Sequence, residues 1–143
     1  MKRIVNFFSA MAIGLLACNT SVGALNTQTR LRPVATIQLN SAHGAKILVI
    51  VHDPKAKSYF VERNKGKLKR AKIRPEIAQK IESDALNLLW TNEVERKVTG
   101  RCTDSAGSIE VAGSKESAVF CRSDISLAAQ LQELGQRVEK LVN

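Results

Sequence analysis

The sequence has few of the residues on which most catalytic and metal sites depend. It contains only two histidines, His43 and His52, and three cysteines in 143 residues. These side chains show no zinc-ligand spacing, and the adjacency of His52 and Asp53 does not by itself orient an imidazole as a catalytic base. The sequence also lacks a Gly-rich phosphate loop, a nucleophile elbow and a paired-carboxylate signature. We therefore predict no catalytic residue, metal or cofactor, although a triad assembled from distant residues stays open.

No apolar run approaches the roughly 20 residues of a comfortable transmembrane helix. The N-terminal run, Ile4 to Ala17, follows Lys2 and Arg3 and precedes the small residues Val22-Gly23-Ala24. A positive start, an apolar middle and a small-residue end are typical of a secretory signal peptide rather than of a buried N-terminal helix. We predict that residues 1–24 are a signal peptide and that the product is periplasmic or secreted.

The same segment offers a second cleavage site. Leu15-Leu16-Ala17-Cys18 resembles the lipobox of bacterial lipoproteins, in which the cut precedes a cysteine that carries diacylglycerol. The resemblance covers four residues and implies a lipoprotein signal at residues 1–17 and an outer-membrane lipoprotein anchored through Cys18. Each buried methylene of such an anchor adds about 0.8 kcal/mol. In the other interpretation Cys18 is discarded with the signal peptide, and the two interpretations stay open.

Either cut leaves one cysteine pair, Cys102 and Cys121. In an oxidising compartment an isolated pair is normally a disulfide. Redox-active pairs are usually adjacent Cys-x-x-Cys motifs, which these two cysteines do not form. We predict a structural bridge, which stabilises the fold by roughly 3 kcal/mol on the chain-entropy model.

Hydrophobic patterning predicts seven strands in the mature chain. Four precede the first helix and three follow it: Val34–Leu39, Ile47–Val51, Ser58–Glu62, Lys67–Ile73, Val98–Thr103, Ile109–Ala112 and Ala118–Arg122. The cysteines would then tie together the outer two strands of the second group. Residues 25–32 precede the first strand and are predicted to be a flexible segment ahead of a domain at residues 33–143.

Two helices complete the pattern. The first begins at Pro75 and ends at Trp90, which is expected to anchor its packing. The second is capped by Asp124 or Ser126 and has a Glu133–Arg137 pair on its outside. Its apolar residues recur at helical spacing: Leu127, Leu131, Leu134, Val138 and Leu141. The predicted fold is therefore α+β, an antiparallel sheet with two helices packed on one face, in a single domain with one disulfide.

Basic residues are concentrated in one segment, in which Glu62 is the sole acidic residue. The segment contains nine lysines and arginines: Lys55, Lys57, Arg63, Lys65, Lys67, Lys69, Arg70, Lys72 and Arg74. Because alternate strand residues share a face, Lys65, Lys67 and Lys69 are expected to point the same way, joined by Lys57 and Arg63 from the paired strand. The predicted anion-binding residues are Lys57, Arg63, Lys65, Lys67, Lys69 and Arg70. The alternative is a solvated face whose charges discourage strand pairing.

The net charge of +9 favours anionic partners but says nothing about fold. The leading hypothesis is a non-enzymatic envelope protein whose basic hairpin region contacts an anionic envelope polymer, with another envelope protein as the alternative partner. Membrane contact is expected only through lipid on Cys18. Tyr59 and Phe60 are too small an aromatic platform for specific nucleic-acid recognition.

Two other functions are compatible with the sequence. The first is an inhibitor of a secreted or periplasmic hydrolase, which would present the turn at Asp53–Ala56 or at Gly113–Glu116. The second is a small hydrolase with an unrecognised site, which would use His43 or His52 against a carboxylate.

Overall fold

The computed structural model of the protein describes residues 30–65, 67–99 and 102–143. The predicted signal peptide, Cys18 and residues 25–29 lie outside the described residues. The elements follow one another as β1 (Arg32–Ser41), β2 (Gly44–Asp53), β3 (Ser58–Lys65), β4 (Lys67–Ile73), α1 (Pro75–Thr99), β5 (Ser105–Val111), β6 (Glu116–Cys121) and α2 (Ile125–Glu139). The predicted α+β class, with its antiparallel sheet, is confirmed, and Arg32 already belongs to β1.

The six strands form one sheet in the order β4-β3-β2-β1-β5-β6. Strands β1 to β4 are consecutive antiparallel neighbours joined by short turns. Helix α1 then carries the chain back to β5, which pairs with β1 rather than with β4. This crossover leaves β4 and β6 as the two edges of the sheet.

The two helices cover one face of the sheet, which we call the helix side. The pairing register puts Ile37 beside Leu48 and Ile109, and directly opposite residues share a face. These three side chains are fully buried in one core cluster with the apolar residues of α1 and α2. Because strand residues alternate, the residues between them point to the other face, the open side, where none of the described helices lies.

The last helix follows its predicted pattern closely. Leu127, Leu131, Leu134 and Val138 are buried on one stripe, and the side chain of Asp124 accepts a hydrogen bond from the Leu127 N–H. Asp124 is therefore the N-cap. The predicted Glu133–Arg137 pair is wrong, since Arg137 instead contacts Asp84 of α1 at 2.9 Å and so links the two helices.

The predicted strand at Val98–Thr103 is wrong, because α1 continues to Thr99. No glycine or proline interrupts the helix after Pro75, so nothing in its sequence stops it at Trp90. Trp90 therefore lies within α1, and it is 57% exposed rather than a buried anchor. Among the described residues no helix has both the length and the hydropathy needed to cross a membrane.

The predicted disulfide between Cys102 and Cys121 is confirmed, with Cα atoms 5.4 Å apart. Cys102 lies in the connection after α1, and Cys121 is the last residue of β6. The bridge therefore joins a helix-to-strand connection to an edge strand. The expectation that it ties two strands together is wrong, because the first residues of the predicted strand at Val98–Thr103 belong to α1.

Candidate functional site

The edge strand β4 is the most basic element of the described chain. Its sequence, KLKRAKI, has four basic residues and no acidic one. The side chains of Lys67, Lys69, Arg70 and Lys72 are all exposed. We call these four residues the basic edge. Because β4 pairs on one side only, the basic edge lies at the outer limit of the sheet.

The basic residues of β4 point alternately to the two sides of the sheet. Lys69 pairs with Arg63, which pairs with Leu48, so all three lie on the helix side. Arg70 pairs with Glu62 and lies on the open side. Lys67 shares the side of Lys69, and Lys72 shares that of Arg70, through strand alternation. A continuous positive rim therefore wraps both sides of the edge.

Arg63 holds the end of α2 against the sheet. Its Nη1 atom donates to Glu139 Oε1 at 3.2 Å and to Asn143 Oδ1 at 2.6 Å. Lys46 Nζ donates to the other oxygen of Glu139 at 2.6 Å. The hydrogen bond from Lys46 lowers the pKa of Glu139, and the contacts with Arg63 add to this against the opposing effect of burial. The guanidinium of Arg63 is thus engaged within the protein by Glu139, which it shares with Lys46, and by Asn143.

Arg70 is also engaged, on the opposite side of the sheet. Its guanidinium forms an ion pair with Glu62, which faces it across the β3–β4 pair. The guanidinium carbon lies 5.7 Å from the centre of the Phe60 ring, within the range of a cation–π contact. Arg70 remains 44% exposed, so its charge is shared with solvent.

Lys57 and Lys65 occupy separate positions. Lys57 is exposed in the β2–β3 turn, with a φ of +47°, at the opposite end of β3 from the basic hairpin. The eight residues of β3 separate Lys57 from the β3–β4 connection, which corresponds to roughly 25 Å. Lys65 pairs with Lys67 in the backbone register. The structure therefore brings Arg63, Lys67 and Lys69 to one side and separates Lys57 and Arg70 from them.

Three lysines of the basic edge form no ion pair among the described residues: Lys67, Lys69 and Lys72. Lys72 belongs to the basic segment but not to the predicted anion-binding residues. It lies two residues after Arg70 on β4 and so on the same side of the sheet, and it forms no ion pair there, whereas Arg70 pairs with Glu62.

The histidines lie apart. His43 is exposed in the β1–β2 turn, where its backbone N–H donates to Ser41 Oγ. His52 is in β2, and its ring stacks on that of Tyr59 with centroids 4.5 Å apart. Among residues 30–65, 67–99 and 102–143, no three His, Cys, Asp or Glu side chains are grouped to hold a metal ion.

The two turns considered for an inhibitory loop are short and internally bonded. Asp53 Oδ1 accepts hydrogen bonds from the backbone N–H groups of Lys55 and Ala56. In the β5–β6 turn Ser114 Oγ donates to Val111 O and accepts from the Glu116 N–H. Both turns are therefore compact and fixed by their own side chains.

Comparison with protein-family models, with curated proteins and with solved structures gave no match to this chain. Function must therefore be inferred from the geometry and charge of the site.

Proposed function

We propose that the protein is a non-enzymatic binding module of the bacterial envelope whose basic edge contacts an anionic macromolecule. The observation that carries the proposal is the group of exposed lysines without ion pairs at the edge of the sheet, Lys67, Lys69 and Lys72. The signal-peptide features of residues 1–24 support export, and lipid on Cys18 would hold the module at a membrane.

The arrangement of these lysines favours a polymer over a small anion. Successive residues on one side of a strand are about 7 Å apart, and their long side chains stay in water. A single exposed ion pair is worth at most about 1 kcal/mol, so useful affinity requires several contacts at once. An extended polyanion lying along β4 would reach both sides of the edge and release its counterions.

The experiment measures binding of the purified protein to heparin and to lipopolysaccharide as a function of salt. The test variant is Lys67→Gln with Lys69→Gln, and Lys72→Gln is added in a second variant. The matched control removes two exposed basic side chains elsewhere, Lys80→Gln on α1 and Arg122→Gln just after the opposite edge strand β6, and so makes the same change in net charge.

We expect the double variant at the edge to weaken binding about tenfold and to flatten its salt dependence, because two counterion-releasing contacts are lost. The control should change binding by less than about twofold, since its charges lie away from the edge. Equal losses in the edge and control variants would show that net charge alone attracts the polyanion, and unchanged binding in the edge variant would contradict the proposal.

The inhibitor hypothesis makes a different prediction about the partner. Capture of one stoichiometric hydrolase from an envelope extract, stable in high salt, would favour inhibition through the turn at Asp53–Ala56 or Gly113–Glu116. A salt-labile mixture of polyanions would favour the basic edge, because exposed charge pairs are screened by salt.

A further inference from the structure

A cleft lies at the opposite edge of the sheet from β4, between the second half of α1 and the start of β6. Its volume is about 480 Å³, within the range of about 300 to 1,000 Å³ that is usual for small-ligand pockets. The residues that line it include Trp90, Asn92, Glu93, Lys115, Glu116 and Ser117. Four strands separate β4 from β6, so the cleft is independent of the basic edge.

The cleft is held in shape by two contacts across it. Asn92, which is 2% exposed, donates from Nδ2 to the Val119 carbonyl of β6 at 3.2 Å. Trp90 donates from Nε1 to Glu116 Oε2 at 3.0 Å. The second bond fixes the polar edge of the indole while the side chain stays 57% exposed. The ring is therefore an oriented, flat, apolar wall that is open to solvent.

The polar groups around this wall have both signs of charge. Glu93 and Glu116 supply carboxylates, Lys115 supplies an ammonium group, and Ser117 supplies a hydroxyl. A carboxylate offers about four acceptor positions, so Glu116 can accept from a ligand while it holds Trp90. A simple anion would meet two carboxylates here, and a simple cation would meet Lys115. The rim therefore matches a neutral molecule that both donates and accepts hydrogen bonds.

We propose that this cleft binds a neutral saccharide ring. A pyranose presents C–H groups on its flat faces and hydroxyls around its rim. The C–H groups pack against the electron-rich face of the indole. The hydroxyls donate to Glu93 and Glu116 and accept from Lys115 and Ser117. A glycan is thus the ligand class whose shape and hydrogen-bonding pattern fit the cleft.

Trp90 provides its own readout, because it is the only tryptophan in the chain. Intrinsic fluorescence is recorded while the purified protein is titrated with chitotriose, cellotriose and maltotriose, and separately with tetramethylammonium chloride and with inorganic phosphate. We expect a saturable shift in emission with at least one trisaccharide and none with the two ions. Saturation by tetramethylammonium or phosphate alone, or by no probe at all, would overturn the proposal.

Variants are measured by calorimetry with the trisaccharide that binds best. Trp90→Ala should raise the Kd at least about tenfold and Trp90→Phe less, since the phenyl ring keeps part of the flat surface. Glu116→Gln should raise it about fivefold without a matching loss of thermal stability. The control Glu133→Gln removes an exposed carboxylate of α2 outside the cleft and should leave the Kd unchanged. Equal effects of Glu116→Gln and Glu133→Gln would contradict the assignment, whatever the basic edge binds.

Discussion

The carboxylate of Glu139 lies 2.6 Å from Lys46 Nζ, and its other oxygen lies 3.2 Å from Arg63 Nη1. One residue at the end of α2 therefore binds cations on two neighbouring strands, β2 and β3. The Glu139 side chain is 19% exposed, and those of Lys46 and Arg63 are 24% and 15% exposed. The contact is thus partly shielded from solvent and locks the helix end onto the sheet.

This carboxylate should make stability depend on pH. The hydrogen bond from Lys46 holds the pKa of Glu139 in the folded protein below its usual range. The folded state therefore binds this proton less readily than the unfolded state, so the contribution is fully present above the unfolded pKa and is lost as pH falls through the folded one. Chemical denaturation of Glu139→Gln should show a free energy of unfolding lower by about 1–2 kcal/mol at neutral pH and a smaller loss of stability as the pH falls into the acid range.

The control for Glu139 is Glu133→Gln on the same helix. Glu133 is exposed and forms no ion pair among the described residues, so its replacement should change stability by no more than about 0.5 kcal/mol. If Glu139→Gln lost as much stability at acid pH as the wild-type protein, the role assigned to the Lys46 contact would be contradicted.

Gly135 allows α2 to approach β1. A Cβ atom placed there would lie 2.5 Å from Leu39 Cδ1 and 3.1 Å from Leu39 Cγ. Gly135→Ala should therefore destabilise the protein by about 1–3 kcal/mol through overpacking, despite the better helix propensity of alanine. Gly113→Ala is the matched control, because its Cβ would meet only Glu82 Oε1, at 3.4 Å. Thermal unfolding distinguishes them, and a stabilised Gly135→Ala would show that the helix can move away at no cost.

The Cys102–Cys121 bridge should account for a large share of the stability. It closes a loop with a sequence separation of 19 residues, for which the chain-entropy model gives roughly 3 kcal/mol. Urea denaturation of Cys102→Ser with Cys121→Ser should show a loss of that order. The wild-type protein, once its bridge is reduced with dithiothreitol, should match the double variant. A much smaller loss of stability in both would mean that the unbridged chain is already constrained.

Asp124 and Ser126 were equivalent cap candidates in the sequence, and the structure separates them. Asp124 Oδ1 accepts from the Leu127 N–H at 3.1 Å, whereas Ser126 Oγ accepts from the Gln130 side chain at 3.3 Å. Asp124→Ala should cost about 1 kcal/mol of unfolding free energy and Ser126→Ala a few tenths. Similar losses in denaturant titrations of the two variants would contradict the assignment of Asp124 as the cap.

Much of the fold can be predicted from local sequence patterns. The four-three spacing of Leu127, Leu131, Leu134 and Val138 defines the buried stripe of α2, and these four residues are buried as predicted. The continuous apolar run at Ile47–Val51 lies in β2, within the interior of the sheet. Such patterns are reliable because burial of one face repeats with the period of the helix or strand.

Other features depend on contacts between distant parts of the chain. Nothing near Gly107 indicates that an added Cβ would lie 2.0 Å from the carbonyl oxygen of Gln38. Likewise, Arg63 and Arg70 look alike in the basic segment, and only their partners Glu139 and Glu62 distinguish them from Lys67, Lys69 and Lys72. The cleft at Trp90 forms where α1 meets β6, two elements separated in the sequence by β5.

The sequence by itself determined the α+β class, the cysteine pair and the unusual density of positive charge between Lys55 and Arg74, because composition and periodicity are local properties. The tertiary structure decided which of those charges stay available, since ion pairing depends on the strand register and on where α2 ends. It also decided that β4 is an edge and that Trp90 is exposed, because strand order and helix length follow from packing across the whole domain.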